Sequence, residues 1–267
     1  MKKLAVASAV LTALTATAAF AEVTVDVYGD RSTKSEFGNK STQGVEVGYG
    51  FGNGLALSAE ATTNKDLDLD ASWKFNYSEQ SYVKPSIGYV FKDSKTTTMT
   101  NPNLPKNQYE FVEFSGEDSN VAKLGLEFGS DLGKLFTSAR IRYEMNTDKY
   151  SVKHEEGNVD SKGKHTATFS ETRGARSEIA RIDVMAGYRF DGVTVSAKGI
   201  TKTEVNKDLR RLHDLADIDR TKSSYEFKAM MTAYDGVTPY VQYAINTSNI
   251  SGVANDHVIK IGTKFTF

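Results

Sequence analysis

The 267-residue chain contains no cysteine, so neither disulfides nor thiolate metal centres can hold it together. Histidine is almost as scarce: His154, His165, His213 and His257 are dispersed along the chain and offer no spacing that would gather them round a metal. Beyond residue 21 there is no apolar run approaching the ~18 residues a membrane-spanning helix needs. Positive charge is not in excess either, with 33 basic and 34 acidic residues, which excludes the broad basic footprint of a nucleic-acid-binding domain. The chain is therefore expected to work without metal, cofactor or nucleic acid, and to enter a membrane, if at all, only as strands.

What is present begins with "MKKLAVASAVLTALTATAAFA", two lysines, an Ala/Leu/Val-rich stretch and a small-residue finish. It reads as a secretory leader over residues 1–21, removed after Ala21, with residues 22–267 forming the mature body. Losing Lys2 and Lys3 takes the formal charge from −1 to about −3.

The chain is polar on average, with mean hydropathy −0.43 and 25% charged residues, yet apolar and polar side chains alternate along its mature body. "LDLDASWKFNY" sets Leu67, Leu69, Ala71, Trp73, Phe75 and Tyr77 against Asp68, Asp70, Ser72, Lys74 and Asn76. The same alternation recurs at Val23–Val27, Val45–Phe51, Leu55–Ala61, Val83–Phe91, Ala122–Phe128, Leu135–Tyr143, Ile182–Phe190, Val193–Thr201, Tyr225–Ala233, Val237–Ile245 and Ile259–Phe267. Segments of about nine to twelve residues with one greasy face suit strands tilted across a bilayer, water on one side and hydrocarbon on the other. Because lipid leaves no water for unpaired backbone groups, such strands survive only in a closed ring. The expected fold is all-β, a 12-stranded antiparallel transmembrane up-and-down β-barrel, with 10 or 14 strands as the alternatives.

Connections and aromatics point the same way. The links "GNG", "SEQ", "SDLGK", "DG" and "DG" alternate with longer ones at 31–42, 62–66, 92–118, 146–175, 203–222 and 246–255, the asymmetry of periplasmic turns and outer loops. Tyr49, Phe51, Phe75, Tyr77, Phe128, Tyr188, Phe190, Phe265 and Phe267 fall at one set of strand ends, and Tyr89, Phe91, Tyr143, Tyr225 and Tyr243 at the other. These are two interfacial belts. "YEFVEF" at 109–114 and "KHTATFSE" at 164–171 read as strand extensions above the membrane. In "RRLHDLADIDR", Leu209, Leu212, Leu215 and Ile218 recur at helical spacing, so the stretch is either a short helix at the barrel mouth or an ordered surface loop.

The positions facing the lumen carry the function. In the second half they are mainly basic: Arg140, Arg142, Arg181, Arg189, Lys198, Lys228, Lys260 and Lys264, with Glu144, Asp183 and Glu226 among them. In the first half they are acidic, notably Glu46, Glu60, Asp68 and Asp70, with Asp26 beside them. A basic wall facing an acidic one would set a transverse field and draw anionic solutes to the basic track; alternatively the charges pair off and only solvate the lumen. Catalysis is not expected. Asp68 and Asp70 with His213 and Asp214 invite comparison with omptin proteases, but the aspartates lie within a strand and the histidine in a loop.

"KLGLEFGSDLGKLFTSARIRYE" and "GVTPYVQYAI", followed by a last strand ending in an aromatic, resemble the small monomeric outer-membrane porins specific for acidic sugars, oligogalacturonate and N-acetylneuraminate. The likeness covers the C-terminal two-thirds. It implies a passive channel in the outer membrane of a Gram-negative bacterium, Arg140 and Arg142 as pore arginines, and Arg181 and Arg189 after them. It also implies Phe265 and Phe267 as a C-terminal signal to the barrel assembly machinery, with outer-membrane lipid and small anionic solutes as partners of a monomer. Longer loops at 92–118 and 146–175 and the acids of the first half depart from that family. A structural or adhesive barrel with a plugged lumen is the rival expectation.

Overall fold

The computed structural model describes residues 21–33, 41–64, 66–92, 97–100, 108–115, 119–162, 164–215, 219–248 and 254–267. All but the last residue of the expected leader lies outside them. Twelve strands form one antiparallel ring: β1 (Ala21–Ser32), β2 (Ser41–Phe51), β3 (Leu55–Thr62), β4 (Leu67–Trp73) with its short continuation β5 (Phe75–Asn76), β6 (Ser81–Phe91), β9 (Val121–Leu132), β10 (Leu135–Asn146), β13 (Glu178–Phe190), β14 (Val193–Glu204), β15 (Thr221–Met231), β16 (Val237–Asn246) and β17 (Asp256–Thr266). Outside the ring lie β7 (Thr97–Thr100), β8 (Gln108–Ser115), β11 (Tyr150–Val159) and β12 (His165–Ala175), and a helix, α1 (Lys207–Leu215).

Each barrel strand pairs with its neighbour in the ring, and β17 returns to β1 in a register from Thr24↔Thr266 to Ser32↔Val258. Val23 and Phe267 complete that seam by exchanging backbone hydrogen bonds of 3.3 and 2.9 Å. The ring therefore presents no free edge, which is what a sheet needs where no water can satisfy it.

Alternation sorts the side chains. Ile87 is 62% exposed, Leu124 62%, Ile141 63% and Ile261 64%, and with Val184, Phe227 and Val241 they cover the outer wall. An apolar band of this size has no place in water and every place in hydrocarbon. Outward aromatics two residues apart on one strand lie against each other, Tyr188 and Phe190 with centroids 4.7 Å apart and Trp73 stacked on Phe75 at 5.3 Å, at the strand ends where the girdles belong.

Tight turns close one end. Asp191–Gly192 joins β13 to β14 with Gly192 at φ +80°, a conformation that suits glycine in a two-residue hairpin. The turn expected as "SDLGK" is shorter than that, because Leu132 and Leu135 still pair and only Gly133–Lys134 remains. The strand expected to run unbroken to Tyr77 is interrupted at Lys74. Its N–H bonds to the carbonyl of Gly54, where the β2–β3 turn ends, and its ammonium sits 4.6 Å from the Tyr82 ring centroid.

On the long-loop side the segments expected as strand extensions do more than prolong the barrel. β8 and β12 flank β11, and β7 adds to β8, making a separate four-stranded sheet in the order β12-β11-β8-β7. Within the connection expected at 146–175, Tyr150–Val159 supplies one of the sheet's two inner strands. The "RRLHDL" stretch is helical: Asn206 caps α1 by accepting from the N–H groups of Asp208 at 3.0 Å and Leu209 at 3.3 Å, and Leu209 is 1% exposed.

Candidate functional site

The polar residues of the barrel strands share the concave face. Tyr28 on β1 donates to Glu60 on β3, over β2. Tyr240 on β16 reaches both carboxylate oxygens of Asp26 on β1 at 3.1 Å, over β17. Lys123 on β9 reaches Asp68 and Asp70 on β4, over β6, at 2.5 and 2.7 Å. Side chains from strands two apart converge in this way only on the inside of a curved sheet.

Flat aromatic rings line part of this face. A Cβ at Gly44 would overlap the Tyr28 ring, and one at Gly262 would come within 2.5 Å of Tyr240, so glycine clears the space in which each tyrosine lies down across its neighbouring strand. Lysines cover the open faces of those rings: Lys260 Nζ is 3.3 Å from the Tyr28 centroid and Lys228 Nζ 3.7 Å from that of Tyr240, the geometry of cation–π attraction.

The arginines expected on β10 and β13 come together, though not as bare cations. Arg140 Nε donates to Asp183 Oδ2 at 2.8 Å and Arg181 Nε to Asp183 Oδ1 at 2.6 Å, so one carboxylate, 4% exposed, holds two guanidiniums. Glu144 lies 2.6 Å from Arg142, 3.5 Å from Arg181 and 4.0 Å from Lys202. The cluster of Arg140, Arg142, Arg181 and Lys202 thus keeps more cations than carboxylates. Arg189 is elsewhere: at the tight-turn end it donates to Asp131 at 2.8 Å and stacks on Phe136 at 4.7 Å. Lys198 is 3.4 Å from Glu226, and Lys264 sits directly opposite Asp26 on the adjacent strand.

Two rows emerge from the cross-strand register. Asp26, Glu46, Glu60 and Asp68 are directly opposite one another in sequence across β1, β2, β3 and β4. Arg142, Arg181, Lys202 and Lys222 do the same across β10, β13, β14 and β15. Like charges directly opposite in a sheet are destabilising, and here each row repeats the violation three times. In the ring, β6 and β9 separate the two quartets of strands on one side and β16 and β17 on the other, which puts the rows on facing walls. Twelve strands ~4.8 Å apart and tilted by about 40° give a backbone diameter of roughly 24 Å.

Lys202 and Lys222 were not legible as site residues, since Lys202 falls just past the strand expected to end at Thr201 and Lys222 at the end of the loop at 203–222; continuing the even-numbered alternation of Lys198 through Lys202 would have found the first. Lys123 is a single charge between Ala122 and Leu124 in a strand marked in the sequence by its apolar face. The aspartate–histidine comparison finds no support, as Asp68 and Asp70 are both engaged by Lys123 and Asp214 by Arg220.

The fold is thus a closed twelve-stranded antiparallel barrel with a lipid-suited exterior and a charged interior. No family model matches the chain, and no curated protein matches it in sequence. Among solved structures it is similar to the NanC porin, with TM-score 0.58, 15% identity, and 91% of this chain and 100% of that one covered. It is also similar to the KdgM porin in complex with disordered oligogalacturonate, with TM-score 0.50, 10% identity, and 91% and 99% covered. At these identities the likeness is one of fold, and at that level the porin resemblance expected from the sequence holds.

Proposed function

We propose that the protein is a passive outer-membrane channel for small hydrophilic solutes that carry an anionic group, acidic oligosaccharides among them. The observation that carries this reading is the cation row on β10, β13, β14 and β15, inside a ring whose outer wall is apolar. Arginine offers a planar fork to a carboxylate, and Glu144 and Asp183 fix the guanidiniums while leaving a surplus of positive charge. Solutes descend their gradient, and selectivity comes from lumen width and wall charge. The structure of KdgM with oligogalacturonate supports the solute class by analogy of fold. In this reading the charged residues bind and guide rather than catalyse. The mature protein is a monomer in outer-membrane lipid, exported by the leader at 1–21, and Phe265 and Phe267 present it to the assembly machinery.

Proteoliposome swelling with neutral and acidic sugars of matched size tests the channel and its solute class. Reversal potentials for Arg140→Ala and Arg142→Ala then test the track: a fall in anion preference is expected, and an unchanged preference removes those residues from the mechanism. The four-stranded outer sheet is the one feature that favours the adhesive reading, which predicts a folded barrel that swells no liposomes.

A further inference from the structure

The acidic wall finds no use in a channel for simple anions, and it is costly to the fold. Asp26, Glu46, Glu60 and Asp68 face one another across four adjacent strands, an arrangement that destabilises a sheet unless something else requires it. Asp26 and Glu60 accept hydrogen bonds from tyrosines, which orient the carboxylates without neutralising them. Asp68 alone of the four has an ion-pair partner, Lys123, among the described residues. On the adjacent β17, Lys260 lies over the Tyr28 ring and Lys264 is directly opposite Asp26, and the cation row stands across the lumen from this arc.

Resting on the channel reading above, we propose that the lumen is a dipole filter. It favours solutes that carry a carboxylate and a protonated amine over simple anions of the same size. A monoanion gains from the cation row and is repelled by the carboxylate row, so the two contributions oppose each other. A zwitterion gains from both at once if it lies across the pore. Side chains extending from both walls narrow a backbone ring of roughly 24 Å to about 10 Å, the scale of one amino sugar. In that confined space of low dielectric, charge focusing is strong and is weakened by salt.

The test measures efflux of four labelled solutes of one size, glucose, glucuronate, glucosamine and glucosaminate, from proteoliposomes containing the full mature protein at low and high ionic strength. Glucosaminate is expected to leave about threefold faster than glucuronate at low salt, with the ratio collapsing towards one at high salt. The double variant Glu46→Gln, Glu60→Gln keeps the tyrosine acceptors and is expected to reverse the order in favour of glucuronate. If glucuronate is already the faster in the native protein, or if the variant leaves the ratio unchanged, the dipole filter is overturned while the channel stands. If none of the four leaves faster than from empty liposomes, the channel itself fails.

Discussion

Lys123 and Asp70 are joined across β6 by a 2.7 Å ion pair, and the lysine also holds Asp68 at 2.5 Å. Its side chain is only 5% exposed, so its charge is tied to those two carboxylates rather than to water. Lys123→Met leaves both acids unpaired on a partly dehydrated wall, and an expected loss of about 2 kcal/mol follows, lower than for a deep pair because the aspartates retain some solvent. Urea unfolding followed by the single tryptophan, Trp73, measures it. Adding Asp68→Asn and Asp70→Asn to the lysine variant should restore most of the loss; a triple variant as unstable as the single one would assign the effect to packing.

Tyr28 and Gly44 are a matched pair. Gly44→Val drives a side chain into the Tyr28 ring, and overpacking of this kind costs about 2 kcal/mol. The fraction of protein that migrates as the compact barrel on unheated gels should drop. Tyr28→Ala in the same chain makes room and should recover part of that fraction, an outcome a backbone perturbation at Gly44 unrelated to the Tyr28 ring would not produce.

The outer helix should loosen in two stages as pH falls. Burial pushes His213 below its usual value; a histidine held neutral in this way stabilises the fold above the unfolded value near 6.5 and loses that contribution as pH drops below it. The hydrogen bond from Arg220 holds Asp214 below the ordinary carboxylate range, so its contribution persists above the unfolded value near 4 and is lost as pH falls through the lower folded one. A spin label at Arg211→Cys should gain mobility first below about pH 6.5 and again below about pH 4. His213→Gln should abolish only the upper step, and Asp214→Asn only the lower.

The seam offers a fourth check. Phe267 exchanges backbone hydrogen bonds with Val23, and its ring is 77% exposed. Phe267→Ser keeps the backbone pairs but removes the aromatic, so refolding into detergent should be nearly unchanged while assembly in cells falls several-fold. Equal losses in both settings would place the role of Phe267 in barrel stability.

The barrel was legible because its physics is periodic: each strand repeats a two-residue rule that lipid and water enforce, and Ile259–Phe267 shows that rule as plainly in sequence as in structure. Of the outer sheet, β8 and β12 were legible as strands but β11 was not, since "YSVKHEEGNV" is polar at most positions and carries no clean alternation to mark it. Single charges such as Arg142 and Glu46 could be assigned to the inner face by parity. Their rows could not, because whether Arg142 meets Arg181 or Asp183 depends on the β10–β13 register, and those strands are joined by the long connection after Asn146 rather than by a tight turn. The paired state of the arginines has the same origin.

The most direct measurement is conductance across a planar bilayer by refolded residues 22–267, with folding verified beforehand by gel mobility. A closed ring around water predicts discrete, sustained openings whose ion selectivity shifts when Arg142 or Glu46 is neutralised. A folded protein that passes no current, or that stays in solution without detergent and never enters the bilayer, would contradict it.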